Sequence, residues 1–174
     1  MMTFIAKYVA TGNVSSIVFN SIPNTYDDLY LVISAKTNTG GQYVSNALQF
    51  NGSYTAYQRR VYEEGTSSVG SDASTNSNSI FFGILPSTGS AQNNDLFNSQ
   101  TIYIPSYKSS NSAKNAWSNG GFTSNSGAQQ YNFNIYAVLT TVTQTGITAI
   151  TLAPWDVSSY VQYSSAYLYG IKNS

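Results

Sequence analysis

Between residues 131 and 139 every second side chain is apolar: Tyr131, Phe133, Ile135, Ala137 and Leu139 alternate with Asn132, Asn134 and Tyr136. A period of two puts alternate side chains on opposite faces of an extended chain, so the stretch reads as a strand with one buried face and one wetter face. Residues 29–36 repeat the pattern, with Leu29, Leu31, Ile33 and Ala35 inward. So do residues 161–171, with Val161, Tyr163, Tyr167, Tyr169 and Ile171 on one side. Shorter runs rich in β-branched and aromatic residues predict further strands at 4–9, 16–22, 46–50, 56–62, 79–85, 101–104 and 147–152. A helical period is nowhere sustained. Pro23, Pro86, Pro105 and Pro154 each fall at the end of one of these runs, where a missing N–H does least harm to a ladder.

About ten strands without an intervening helix, separated by clusters of Gly, Asn, Ser and Pro, predict an all-β fold: an antiparallel two-sheet sandwich, jelly-roll-like. The 174 residues suit a single β-sandwich domain over 1–174, with 1–12 a candidate extended N-terminal arm. The apolar run in that arm is broken by Lys7 and is too short for a secretory core or a membrane span, so the expectation is synthesis in the cytoplasm without a signal peptide. Polar stretches beginning at Gly65, Pro86 and Pro105 read as long loops. The first, GTSSVGSDASTNSNS, is low in complexity and is expected to be nicked first by proteases. Gly40–Gly41 and Gly120–Gly121 read as turns, since neither is followed by the Lys-Ser/Thr or the helix that a phosphate loop requires.

Charge changes the picture most. Only 8 % of residues are Asp, Glu, Lys or Arg, against about 25 % in an average soluble protein, and seven acids cancel seven bases. Without a long-range field, neither nucleic acid nor an anionic membrane is an expected partner. Near-zero net charge also gives little colloidal repulsion, which suits a subunit of a large assembly better than a free monomer. Cysteine and histidine are absent. That removes thiol and serine–histidine chemistry and the usual zinc ligands, and no catalytic, cofactor-binding or metal residue is assigned.

Two carboxylate pairs remain. Asp27–Asp28 lies in a turn-rich segment where Asp commonly bonds its own neighbouring backbone. Glu63–Glu64 follows Arg59 and Arg60, and solvated ion pairing is the simpler reading than glycoside hydrolysis. Fifteen Tyr, with Trp117 and Trp155 near Asn and Gly, could stack sugar rings; sandwich core and subunit interface account for them more simply.

The segment SSIVFNSIPNTYDDLYLVISAKT, residues 15–37, resembles a recurring opening in virion structural proteins of tailed bacteriophages. LQFNGS at 48–53, IYIPSY at 102–107 with Lys114 following, GITAITLAP at 146–154 and YLYGI at 167–171 are similar in order and spacing. The resemblance implies a non-enzymatic virion component: a capsid decoration (cement) protein bound to the major capsid protein of the head, or a tail fibre or receptor-binding tip recognising host surface glycan. A chain this short, with no heptad or triple-helical shaft, leans toward the head. Three-fold lattice positions make a homotrimer the expected assembly.

Overall fold

The structure, a computed structural model, describes residues 1–52, 56–64, 68–77, 80–89, 96–123, 130–139, 145–156 and 158–173; for 56–64, 68–77, 80, 130 and 139 it describes the backbone alone. Twelve strands run along these residues: β1 Met2–Val9, β2 Ile17–Phe19, β3 Asp28–Ser34, β4 Tyr43–Phe50, β5 Ala56–Glu64, β6 Ser68–Ser77, β7 Ile80–Pro86, β8 Ser99–Ile104, β9 Lys114–Thr123, β10 Gln130–Leu139, β11 Ile150–Pro154 and β12 Ser165–Ile171. They form an eight-stranded sheet in the order β1-β12-β3-β8-β9-β10-β5-β6 and a four-stranded sheet in the order β2-β11-β4-β7. All neighbouring pairs are antiparallel.

With the β5–β6 and β9–β10 hairpins set aside, the large sheet reads β1-β12-β3-β8 against β2-β11-β4-β7. This is the jelly-roll order, in which late strands slot between early ones in both sheets. The hairpins are insertions, one between β4 and β7 and one between β8 and β11, and both extend the large sheet beyond β8. Residues 15–37, 48–53, 102–107, 146–154 and 167–171 each include part of a framework strand.

The core follows from the alternation. Leu29, Leu31 and Ile33 of β3, Ile102 and Ile104 of β8, and Leu168 of β12 pack with Ile17, Leu48, Phe50, Ile150 and Leu152 of the small sheet. Each such side chain contributes about 1.5–3 kcal/mol when fully buried. A second cluster beneath the β9–β10 insertion joins Phe122, Tyr131, Phe133 and Ile135 to Ile84 of β7. Between the two clusters lies a buried polar network. The Gln100 amide donates to Ser118 Oγ (2.9 Å) and to the Phe82 carbonyl, and Gln100 Oε1 accepts from Asn46 (3.2 Å). Asn46 Oδ1 in turn accepts from the fully buried Tyr160 hydroxyl (2.6 Å). The network sits at a bulge where the β4–β7 register shifts between Asn46 and Ala47. Gly83 beside it has φ 152°, and a Cβ there would stand 2.7 Å from the Phe133 ring, so only glycine lets β7 pass.

Several expectations are corrected. Most of the polar stretch from Gly65 is strand β6, at the edge of the large sheet, with 65–67 and 78–79 outside the described residues. Its backbone is held by β5, which needs no apolar alternation. Gly120–Gly121 lies within β9 and is not a turn. A Cβ on Gly120 would meet the Ser99 carbonyl oxygen at 2.3 Å, and one on Gly121 the Tyr131 carbonyl oxygen at 2.2 Å, so the glycines serve close strand packing. The strand expected from 161 begins only at Ser165, because Tyr163 takes a left-handed turn (φ 71°). Residues 2–9 of the candidate arm form β1, paired with β12.

Candidate binding site

Register brings six aromatic side chains into one row across the outer face of the large sheet. Phe4 of β1 stands opposite Tyr169 of β12, Tyr169 opposite Tyr30 of β3, Tyr30 opposite Tyr103 of β8, Tyr103 opposite Trp117 of β9, and Trp117 opposite Tyr136 of β10. Strands about 4.8 Å apart make this row about 24 Å long. Ring centroids of Phe4–Tyr169, Tyr103–Trp117 and Trp117–Tyr136 are each 5.9 Å apart, within the range of favourable aromatic pairs. Phe4 and Trp117 remain 51 % and 52 % exposed, and Tyr136 41 %.

Hydrogen bonds fix the rings at the β8–β10 end. The Tyr103 hydroxyl donates to Asp28 Oδ2 (2.8 Å), and the Tyr136 hydroxyl donates to Asn115 Oδ1 (3.3 Å). Desolvation, then the bond to Asp28, raises Tyr103 to about 12. Asp28 itself is held at the start of β3 by the Ser106 N–H (2.8 Å) and the Asn173 amide (3.0 Å). Burial pushes its carboxyl up, but the three donors outweigh that and leave it below the usual carboxylate range.

One register step along, the same outer face turns from aromatic to amide. Thr101, Asn119 and Asn134 stand in line on β8, β9 and β10, and Asn119 Nδ2 donates to Asn134 Oδ1 (2.6 Å). Each amide carries a donor and an acceptor. Their mutual bond therefore leaves the Asn119 carbonyl oxygen and the Asn134 NH2 group without a further partner among the described residues. A cavity of about 400 Å³ lies over Tyr30, Tyr103, Trp117 and Tyr136, and a second of about 500 Å³ over Ser99, Gly121 and Asn132. Thr101, Asn119 and Asn134 border both, so the two are one trough along β8, β9 and β10. Among the described residues, no side chain lining either cavity is charged.

The residues singled out in the sequence are scattered. Asp27 and Asp28 do not cap their own turn. Asp27 pairs with Lys108 (2.8 Å) and accepts from the Asn173 N–H (2.8 Å), and the bond from Lys108 holds its carboxyl below the ordinary value. Both acids thus tie the start of β3 to segments some 75–150 residues away in the chain. Glu63 and Glu64 are successive positions of β5, opposite Asn132 and Tyr131; Arg59 is opposite Tyr136. Their side chains lie outside the described residues, and no group of three His, Cys, Asp or Glu is assembled among those described. Trp155 follows β11 and is exposed, bound through its N–H to the Ser45 carbonyl, far in the topology from Trp117. Of the fifteen Tyr, Tyr107 and Tyr160 are core, as is Tyr131, while Tyr30, Tyr103, Tyr136 and Tyr169 form the outer row. Lys114 is buried, with Nζ donating to the Ser109 carbonyl, and desolvation lowers its pKa.

The outer row was not foreseen. Its members are spread from residue 4 to residue 169, and the signal for it in the sequence was the surplus of Tyr together with Trp117 near Asn and Gly. No protein-family model matches the chain, and no curated protein does.

Proposed function

We propose that this protein is a non-enzymatic structural component of a tailed-bacteriophage particle, and within it a head decoration protein that binds the major capsid protein and stabilises the shell. The observation that carries the reading is a jelly-roll framework whose own strands bear the motifs that resemble those of phage virion proteins. Jelly rolls recur in viral shells because closed, edge-protected sandwiches tile well. A homotrimer at three-fold positions gives each copy the same contact, and many modest contacts summed over a shell resist its expansion.

Cryo-EM localisation on the virion, beside the heat stability of particles lacking the protein, tests this. Density on the head lattice and earlier shell rupture in its absence are expected. Unchanged stability, or density only at the tail, overturns the head assignment. Mass measurement in solution tests the trimer, which a monomer both there and on the particle would overturn. The second reading, a receptor-binding tip, is favoured by the trough on the outer face and requires tail density.

A further inference from the structure

We propose that the trough over β8, β9 and β10 is a binding site for a neutral saccharide, stacked on Trp117 between Tyr103 and Tyr136 and hydrogen-bonded by Asn119 and Asn134. The inference concerns the ligand of this face and holds wherever on the particle the protein sits.

Three observations converge on that chemistry. A sugar ring presents an apolar face of C–H groups and a rim of hydroxyls, each both donor and acceptor. The trough answers the first with a half-exposed indole flanked by two phenols. It answers the second, one residue pair further along the same strands, with the Asn134 donor and the Asn119 acceptor that their bond leaves without a partner among the described residues. Vicinal hydroxyls match such a pair whichever amide carries the donor. The strand spacing of about 4.8 Å is also close to the repeat of an extended pyranose chain, so successive sugars could follow the aromatic row outward from Trp117 toward Tyr30.

The other ligand classes fit less well. Nucleic acid and phosphorylated or sulfated ligands need several cations, and the described lining offers none, with Arg59 of β5 the one basic residue in register with Tyr136. A protein partner favours an apolar centre with a polar rim. This site places its amides and the side-chain-free strip at Gly121 along the floor. The rings are also held before any ligand arrives, Tyr103 by Asp28 and Tyr136 by Asn115, which lowers the ordering cost of binding.

The chain has two tryptophans, so Trp155→Phe leaves Trp117 as the sole indole reporter. Full-length Trp155→Phe protein is titrated with neutral gluco-, manno-, galacto- and N-acetylglucosamine oligosaccharides while indole emission is followed. Calorimetry is run on the same sugars for variants of the native chain. A saturable emission change with at least one of the sugars is expected. Trp117→Ala should weaken binding by about tenfold or more, Asn119→Ala and Asn134→Ala by a similar factor, and Trp117→Phe much less than Trp117→Ala. Thr151→Ala, on the other sheet, should leave it unchanged. No response to any of the sugars overturns the proposal, as does affinity that survives Trp117→Ala. An emission change that follows protein concentration and not sugar also overturns it, because the face would then be covered by a second copy. If Trp117→Ala fails to fold, Asn134→Ala decides alone: undiminished affinity overturns the proposal.

Discussion

The outer faces of the two sheets obey the same alternation and look nothing alike. On the small sheet the outward row is Val18, Thr151 and Gln49, a mixture of small and polar groups that needs no explanation beyond solvation. On the large sheet the equivalent direction carries Phe4, Tyr169, Tyr30, Tyr103, Trp117 and Tyr136 in unbroken register. Both sheets are sealed from within by similar Leu, Ile and Phe positions, so folding imposes no demand that one outer face be aromatic. The difference separates what the sandwich requires from what it has been given to present.

That separation can be attacked first at its strongest point. Leu31 is fully buried next to the outward Tyr30 on the same strand, and Leu31→Ala is expected to cost about 2–5 kcal/mol, read from chemical denaturation. If substitutions along the outer row cost as much, the row is structural and the contrast collapses. Next is the polar network between the sheets: Gln100→Leu strands the Asn46 amide in the core and is expected to cost about 1–3 kcal/mol by the same measurement, with the fold retained.

The pH profile sharpens the contrast from the side of the anchors. Asp27 and Asp28 have lowered folded pKa values, so their stabilisation is present above the ordinary carboxylate range and is lost as pH falls below about 4 through those lowered values. Tyr103, raised to about 12, contributes stability that is full below its unfolded value of 10.0 and is lost as pH climbs toward 12. Thermal melts should therefore be flat between about pH 6 and 9 and fall on both sides. Asp28→Asn should soften both limbs, and unchanged limbs would mean the carboxylate does not anchor the face. The smallest effect belongs to the outer row itself. Trp117→Ala is expected to change stability by about 1 kcal/mol or less, and Val18→Ser by about 0.5 kcal/mol, both by thermal denaturation.

Much of the sandwich was legible because β3, β10 and β12 alternate large apolar residues with others, a signal carried by hydrophobicity alone. β9 escaped because its central inward positions are Ala116, Ser118 and Gly120: Gln100 bonds Ser118, and the Ser99 carbonyl, Gln100 and Phe133 leave no room for a Cβ at 120. Alternation there is in size, and a single strand does not reveal which neighbour is large. β6 escaped because the outermost strand of a sheet can be held by backbone bonds to one partner. Trp117 attracted attention as a sugar-stacking residue and Trp155 equally so, but only register distinguishes them. The row exists in no local window of the chain, and Asn119 and Asn134, its polar continuation, read from sequence merely as the wet side of two strands.

The jelly-roll order has a further consequence for how the chain is made. β12 lies between β1 and β3, and β11 between β2 and β4, so both sheets wait for strands that follow residue 149. While the ribosome is still synthesising the middle of the protein, only hairpins such as β5–β6 and β9–β10 have their partners close in sequence. The remaining strands hold open, sticky edges. Contacts this distant in sequence make for slow folding and an interval in which nascent copies can join one another wrongly. That hazard rises with the concentration of nascent copies and is greatest when synthesis is fastest.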